Sequence, residues 1–306
     1  MFNLFLKKMN NIKSVFSIKD LENLSGIKAH TIRIWEKRYD VLKPMRTDTN
    51  IRLYDTDNLQ KLLNITLLHN YGYKISTISK YSDEKIPELV REIINKKSAK
   101  HHAISEFKMA MMNFDQVQFT LTYDKLLSEK SFADVFYEVF IPLMTELGLL
   151  WQSNTISPAH EHFITYLIKQ KIIANTEKNQ YLEPTKTNRV FVLYLPDNEI
   201  HELGLLYLNY EIISNGYKSI YLGESVPVGS LKDVCKNFDN ITFIAYTTVK
   251  PEAEEIDEYV TQMENEVLNE NAEVWFIGRM VENISENKLS NRIRKFETIS
   301  SLVNEL

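Results

Sequence analysis

Residues that cross-link or interrupt a chain are scarce in this sequence. It has one cysteine, 8 glycines and 8 prolines in 306 residues. The lone Cys235 cannot form an internal disulfide or a cluster of thiolate ligands, which argues against a disulfide-framed secreted domain and against a thiolate metal sensor. So few glycines and prolines exclude collagen-like and low-complexity chains. The composition is that of a globular protein.

Long apolar segments are also missing. No stretch reaches the roughly 18 uncharged apolar residues that a membrane-spanning helix needs. Residues 1–14 have only a short apolar core, and Lys7 and Lys8 follow that core instead of preceding it as in a secretory signal. We therefore treat 1–14 as an N-terminal extension and expect a cytoplasmic protein with no membrane partner.

Charge of either sign is not in large excess, but it is unevenly placed. The net charge of −5 comes from 36 basic and 41 acidic residues. Residues 1–80 hold 14 Lys and Arg against 7 Asp and Glu, a balance of +7, and the remainder carries −12. A length of 306 residues suits about two domains. The asymmetry is typical of a basic nucleic-acid-binding head attached to a separate sensor or partner domain.

Two short helices are predicted in the basic quarter. Residues 15–26 have a serine suited to cap a helix, apolar residues on one face and a closing glycine. A second helix is expected over 29–39, and two short helices joined around a glycine form a helix-turn-helix. A loop with three cations and a longer helix over 56–70 follow. Together they predict a domain over 15–85.

The rest of the chain changes from helical to mixed patterning. Residues 86–103 are polar and are predicted to form a helical linker, and 104–180 contain four long helical segments, which is typical of a four-helix bundle. Over 188–306, buried apolar runs alternate with helical segments at least four times. This alternation predicts a doubly wound parallel sheet, Rossmann-like or flavodoxin-like. The expected fold class is therefore α plus α/β in several domains.

The second predicted helix and the loop after it carry most of the basic residues. Cations on an exposed helix suit the major groove of DNA and loop cations suit phosphates, although a solvated charged face is the alternative. This region contains the run TIRIWEKRY from Thr31, LKP from Leu42, Arg46, and RLY from Arg52. These residues closely resemble the DNA-binding head of MerR-type transcription regulators. The resemblance implies a winged helix-turn-helix over 15–85.

The same resemblance implies which residues contact double-stranded operator DNA. The expected set is Thr31, Arg33, Lys37, Arg38, Tyr39, Lys43, Arg46, Arg52 and Tyr54. Trp35 is instead expected to pack the head together. One departure lies in the wing, where Thr49-Asn50-Ile51 replaces the usual glycine-containing turn. The reach of the wing on DNA is therefore left open.

The best candidate ligand site is the loop EIHELG, which follows the first predicted strand of the sheet. Ligands of such sheets bind at the carboxyl ends of the strands. His201 can offer one ring nitrogen to a metal while Glu199 holds the other, and Gly204 lets a bulky group approach the backbone. From the residues alone, however, a single loop histidine is more often structural or simply exposed.

The loop has the pattern of an acidic residue, any residue, His, any two residues and Gly. This pattern resembles the cobalamin-binding signature of methionine synthase, mutases and related corrinoid proteins. The resemblance implies that His201 is the lower axial ligand of cobalt, in place of the vitamin's own dimethylbenzimidazole. Glu199 would tune that ligand, and Gly204 would leave room for the nucleotide tail. A cobalt of cobalamin at His201 is the one metal expected.

Two later elements of this signature are only partly present. Ser225 matches the family's serine, but Pro227 stands where leucine is usual. Gly278 matches the first residue of a Gly-Gly pair, but Arg279 replaces the second. The arginine would either bind the phosphate of the tail or obstruct the pocket. These two departures leave cobalamin binding open.

The helical region offers a third resemblance. In this region Trp151 is followed, after nine residues, by the pair Glu161-His162. This spacing is similar to that in the cap of the cobalamin-dependent, light-responsive MerR regulators of the CarH and LitR type. There the tryptophan and its partners cover the upper face of adenosylcobalamin. A histidine follows that tryptophan in the light-responsive members, whereas this chain has Gln152, a poor cobalt ligand beside imidazole. A core tryptophan beside a surface Glu-His pair is the alternative.

We therefore expect a DNA-binding regulator, a repressor rather than an enzyme, whose oligomeric state and DNA affinity depend on bound adenosylcobalamin. Light sensitivity is a secondary expectation, and the expected oligomer is a dimer or tetramer of identical chains. One alternative keeps the MerR-type head but gives the C-terminal half a role only in oligomerisation or protein-partner binding. A remote alternative is a corrinoid methyl-transfer subunit.

Overall fold

The computed structural model describes residues 15–47, 49–94, 99–152, 155–180 and 183–306. The predicted extension 1–14 lies outside the described residues. The chain forms two compact units that divide between Ile168 and Lys169. The domain boundaries predicted from the sequence remain a prediction, because the division falls inside one long helix.

The first unit opens with the predicted pair of helices. Helix α1 (Ile18–Ser25) begins at Ser17, whose hydroxyl accepts from the backbone N–H of Asp20 while the Asp20 carboxylate accepts from that of Ser17. Such reciprocal capping satisfies two otherwise unpaired donors. The helix ends at Gly26, which adopts a left-handed φ of 77°. Helix α2 (Ala29–Tyr39) follows, so both predicted helices are confirmed.

A small antiparallel sheet forms the wing. Strand β3 (Arg52–Asp55) pairs with β1 (Val15–Phe16) on one side and with β2 (Met45–Arg46) on the other. Asn50, at the turn between β2 and β3, has a positive φ of 62°. Asparagine tolerates this left-handed conformation better than other non-glycine residues. It therefore supplies the backbone geometry of the turn despite the missing glycine.

The remaining helices of the first unit pack against the head and form the bundle. In chain order they are α3 (Thr56–Asn70), α4 (Ile75–Ile78), α5 (Lys85–Ile94), α6 (Ala99–Asn113), α7 (Gln116–Leu127), α8 (Phe132–Val135), α9 (Ile141–Gln152) and α10 (Pro158–Gln180). A wider π-helical turn, Phe136–Phe140, joins α8 to α9. The helix predicted near 131–150 is therefore present without a break, as α8, the π-helical turn and α9 in succession. Trp35 packs inside the head against His69, as predicted.

The second unit is a five-stranded parallel sheet with helices on both faces. Its strands are β4 (Lys186–Pro196), β5 (Tyr217–Val226), β6 (Ile241–Tyr246), β7 (Ala272–Ile277) and β8 (Ile293–Phe296). Its helices are α11 (Leu203–Ser214), α12 (Val228–Cys235), α13 (Ile256–Glu266) and α14 (Ile299–Val303), with 3-10 turns at Arg279–Asn283 and Glu286–Lys288. The spatial order is β5-β4-β6-β7-β8. This is the flavodoxin-like doubly wound order, as predicted.

Alternate residues of each central strand enter two separate cores. Val192, Phe243 and Phe276 lie in one core with α12 and α13, whereas Leu193, Ile244 and Trp275 lie in the other with α11 and α14. This burial on both faces explains the continuous apolar runs. Over the described ranges, no helix is both long and apolar enough to cross a membrane.

Candidate DNA interface and cofactor site

Helix α2 divides its residues between the core of the head and the surface. Ile32 and Trp35 are buried, and three cations on the same helix are exposed: Arg33, Lys37 and Arg38. The apolar positions attach the helix to the head, which leaves the cations free to reach a negatively charged partner. Such a helix can enter a major groove with its exposed side.

Glu36 connects this helix to the wing. Its carboxylate accepts from Arg52 Nε at 2.9 Å and from the Tyr54 hydroxyl at 2.9 Å. Tyr54 is 0% exposed, and burial followed by the Glu36 carboxylate raises the pKa of its phenol. The ring of Tyr54 lies in the core and its hydroxyl donates to Glu36, and its contact with DNA stays a prediction. Tyr54 and Glu36 position Arg52 beside the helix.

The other predicted DNA contacts lie at or near the surface of the head. Lys43 and Arg46 are exposed, and the Arg46 guanidinium donates to the side-chain oxygen of Asn50 at the tip of the wing. Thr31 and Tyr39 are partly buried. The Arg38 guanidinium lies 5.4 Å from the centre of the Tyr39 ring. Their contacts with DNA remain predictions.

A buried lysine joins the head to the bundle. Lys108 of α6 is 7% exposed, and its ammonium donates to the Leu24 carbonyl at 2.9 Å and to Glu146 at 2.8 Å. Asn23 of α1 also donates to the hydroxyl of the buried Thr155 at 2.7 Å. These contacts were not predicted, although a single charge within the apolar run FKMAMM was a visible signal.

The predicted cap residues lie in the first unit. Trp151, at the end of α9, is 54% exposed, which is unusual for so large an apolar side chain. Glu161 lies in the first turn of α10 and accepts from the Thr165 hydroxyl at 2.8 Å. His162 is exposed, and its Nδ1 lies 3.5 Å from Glu161. The indole of Trp151 is therefore accessible to solvent. The side chain of its neighbour Gln152 lies outside the described residues.

Glu199 and His201 form a densely hydrogen-bonded polar site of the second unit. Glu199 is 1% exposed, and one carboxylate oxygen accepts from His201 Nδ1 at 2.6 Å as well as from two neighbouring backbone N–H groups. The other oxygen accepts from three consecutive backbone N–H groups after β6: Thr248, Val249 and Lys250, at 2.6–3.0 Å. Burial would raise the pKa of Glu199, but these donors outweigh it and lower the pKa to about 2.

The ionised carboxylate determines which nitrogen of His201 remains available. A carboxylate can only accept, so Nδ1 carries the proton, and in the neutral ring Nε2 has the free lone pair. The imidazole is 53% exposed, and Ile200 and Val249, whose backbone N–H groups also bind Glu199, are exposed apolar residues. The loop thus presents one ring nitrogen that could bind a metal, together with two apolar side chains.

Ser225 holds the same loop from the neighbouring strand. Its hydroxyl donates to Asp197 at 2.9 Å and accepts from the backbone N–H of Asn198 at 3.0 Å. Its own N–H donates to the Glu199 carbonyl at 3.2 Å. The structure therefore brings Ser225, Glu199 and His201 together. In this structure Ser225 orders the loop through contacts within the chain.

The two predicted tail-pocket glycines face atoms of the protein. At Gly204, near the start of α11, a Cβ atom would overlap the ring and hydroxyl of Tyr246. At Gly278, where φ is 112°, a Cβ atom would lie within 2.9 Å of the backbone of Thr247. The space that Gly204 was predicted to leave for a nucleotide tail is instead filled by the Tyr246 phenol.

A second polar group beside the histidine loop was not predicted. Glu202 accepts from the Tyr221 hydroxyl at 2.9 Å and forms an ion pair with Lys169. Glu224 is hydrogen-bonded to Glu202, which raises the pKa of Glu224. Arg279, predicted to meet the tail, is exposed. The acidic pair was hard to recognise, because Glu202 and Glu224 lie on different elements.

Comparison with known families assigns both regions of the first unit. Residues 16–85 match the MerR HTH family of regulatory proteins, and residues 103–174 match the B12 binding domain family. This chain combines a MerR HTH domain with a B12-binding domain. The second match covers the helices of the bundle and ends before the sheet begins, so the two matches follow one another in the predicted order.

Two curated relatives are similar to this chain over most of its length. It is 27% identical over 222 residues to the HTH-type transcriptional repressor CarH of Myxococcus xanthus, covering 71% of this chain and 73% of the relative. It is 23% identical over 223 residues to the HTH-type transcriptional repressor CarA of the same organism, covering 71% of each.

A solved structure shares the fold of about two thirds of this chain. The Methanosarcina barkeri monomethylamine corrinoid protein superposes with a TM-score of 0.55 over 67% of this chain and 96% of that protein. The sequences are 10% identical, so this likeness shows the fold alone.

Proposed function

We propose that this chain is a transcriptional repressor that binds operator DNA through its MerR head and is controlled by cobalamin bound at His201. The observation that carries the proposal is the exposed imidazole of His201, whose Nδ1 is held by a buried carboxylate, in a chain that also has a DNA-binding head. The similarity to CarH and CarA supports repression as the output.

The residues of the histidine loop fit cobalt and the corrin ring. Neutral imidazole is a strong ligand for transition metals, and the Glu199 hydrogen bond makes it more basic and holds its orientation. The exposed side chains of Ile200 and Val249 suit the apolar edge of a macrocycle. Bound adenosylcobalamin would supply a light-sensitive cobalt–carbon bond. The chain's own residues supply the axial nitrogen and the surface around it.

Absorbance tests the ligand directly. The full chain is titrated with adenosylcobalamin in the dark, and we expect a spectrum in which histidine replaces the vitamin's own base. The spectrum should be lost in His201→Ala and kept in His30→Ala, which removes an exposed histidine from the head. Free-cofactor spectra for all three proteins would refute cobalamin binding and leave the alternative of a MerR regulator with an oligomerisation module.

We further propose that the ligand acts through the assembly of identical chains. Several linked heads bind repeated half-sites more tightly than one head, because the second contact is intramolecular. Gel filtration with and without adenosylcobalamin should show a dimer or tetramer in one of the two states. An unchanged elution volume despite a bound-cofactor spectrum would refute this coupling.

Light sensitivity follows from the same proposal and needs its own test. Gln152 follows Trp151, so this position offers no imidazole for cobalt after illumination. The dark titration is repeated after illumination, and a change in elution volume or DNA affinity would support light sensing. Identical behaviour in dark and light would refute it. A failure to bind DNA with any cobalamin form would favour a corrinoid methyl-transfer subunit.

A further inference from the structure

Cobalamin bound through His201 would need room in the protein for its nucleotide tail. The nucleotide tail of cobalamin is attached on the same face of the corrin ring as the lower axial base. When a protein histidine takes the axial position, the displaced tail points toward the protein. The start of α11, with Gly204, and the end of β6, with Tyr246, border the histidine loop, since Glu199 accepts from backbone N–H groups directly after β6.

Tyr246 occupies the gap at Gly204. It is the last residue of β6, and its phenol lies where any side chain at position 204 would have to be. Glycine is among the least favoured residues in a helix, so a glycine near the start of α11 needs a reason. The close approach of Tyr246 supplies one from within the chain itself.

The neighbouring gap at Gly278 is closed by backbone. A Cβ atom at this position would lie 2.8–2.9 Å from the backbone carbon and nitrogen of Thr247. Thr247 is fully buried, its N–H donates to the Ile277 carbonyl at 2.7 Å, and its carbonyl accepts from Met280 N at 2.9 Å. Rotation of a side chain cannot open this gap.

Tyr246 is also held in place by its surroundings. Its ring packs against the apolar cluster that lies between the sheet and α11. Turning the ring outward would expose this apolar area to water, which is unfavourable. Burial raises the pKa of its phenol to about 12, so the side chain stays neutral at physiological pH.

We propose that Tyr246 closes the space beneath Gly204, so that the site binds the corrin ring and its cobalt but leaves the nucleotide tail outside. The ligand class is then any corrinoid with a free lower axial position, including cobinamides, which lack the nucleotide. Tyr246 is a specificity-determining residue. This inference rests on the proposed binding of cobalamin at His201.

The test compares two ligands on three proteins. Adenosylcobalamin and adenosylcobinamide are titrated in the dark into the full-length wild type, Tyr246→Ala and Tyr246→Phe, and the dissociation constants are read from absorbance. The wild type should bind cobinamide at least as tightly as cobalamin. In Tyr246→Ala the ratio of the two constants should shift toward cobalamin by about tenfold or more. Tyr246→Phe keeps the ring and should match the wild type.

Each other outcome overturns part of the account. A wild type that binds cobalamin more tightly than cobinamide would show that the tail is accommodated, which refutes closure by Tyr246 but keeps cobalamin binding. An unchanged ratio in Tyr246→Ala would also refute it. No binding of either corrinoid by the wild type would refute both proposals. A wild-type ratio in favour of cobalamin refutes closure even if Tyr246→Ala does not fold, and the shift of the ratio in Tyr246→Ala separates the effect of Tyr246 from the cost of displacing the base of cobalamin.

Discussion

Replacement of Glu199 by glutamine should destabilise the α/β unit in a pH-dependent way. The carboxylate oxygens of Glu199 accept six hydrogen bonds, three on each oxygen. A glutamine amide keeps one oxygen and presents an N–H2 group to the three donors on the other side. Three buried or half-buried donors therefore lose their acceptor in Glu199→Gln, whichever way the amide is turned.

The magnitude follows from the pKa of Glu199. Lowering that pKa from its ordinary value of 4.5 to about 2 corresponds to about 3 kcal/mol of folding stability. Above pH 4.5 the group is ionised in both states and the contribution is complete. As the pH falls toward 2, the unfolded chain takes up the proton first and the contribution is lost. At pH 3.5 about 1.4 kcal/mol of it should be gone.

Urea unfolding followed by circular dichroism at pH 7, 5 and 3.5 measures this contribution. Glu199→Gln should lower the free energy of unfolding by about 3 kcal/mol at pH 7, and the difference from the wild type should shrink at pH 3.5. Glu254→Gln, the same change at an exposed turn residue, should have little effect at any pH. A difference below about 1 kcal/mol at pH 7, or one independent of pH, would contradict the role assigned to Glu199.

Two further changes test the first unit. Lys108→Met removes the donor to the Leu24 carbonyl and should lower the free energy of unfolding, measured in urea, by about 1–2 kcal/mol. The control is Lys125→Met, the same change at an exposed lysine. An equal effect in the two variants would contradict the contact between Lys108 and Leu24. Arg33→Ala should weaken DNA binding by about 1–3 kcal/mol in fluorescence anisotropy, whereas Arg279→Ala, an exposed arginine of the second unit, should not. Equal losses in the two arginine variants would contradict a DNA interface confined to the head.

Features set by neighbouring residues were predictable from the sequence. The cap and stop of α1 are local hydrogen-bonding patterns, so its limits could be predicted closely. The buried runs of β4 and β6 made the parallel sheet recognisable, and the spacing of Glu199 and His201 placed them within one loop. Strand β8 was not predicted, because its four residues are too short to show a pattern.

Features set by contacts between distant residues were not predictable. Tyr54 belongs to a motif that resembles a DNA-contacting one, yet the packing of β3 under α2 buries it. Tyr246 lies 42 positions from Gly204, and only the parallel pairing of β6 with β4, the strand that precedes α11, brings its ring to the glycine. Lys108 reaches the end of α1 through the docking of the head on the bundle. Such contacts depend on the three-dimensional arrangement of whole elements.

The affinity of the full chain for DNA, with and without adenosylcobalamin, tests the central claim most directly. A duplex is first selected from a random pool by the wild type in both states and is then used in fluorescence anisotropy with the wild type and His201→Ala. The account predicts that adenosylcobalamin changes the affinity of the wild type in the dark and leaves that of His201→Ala unchanged. Equal responses of the two proteins, or no response in either, would contradict control of DNA binding through His201.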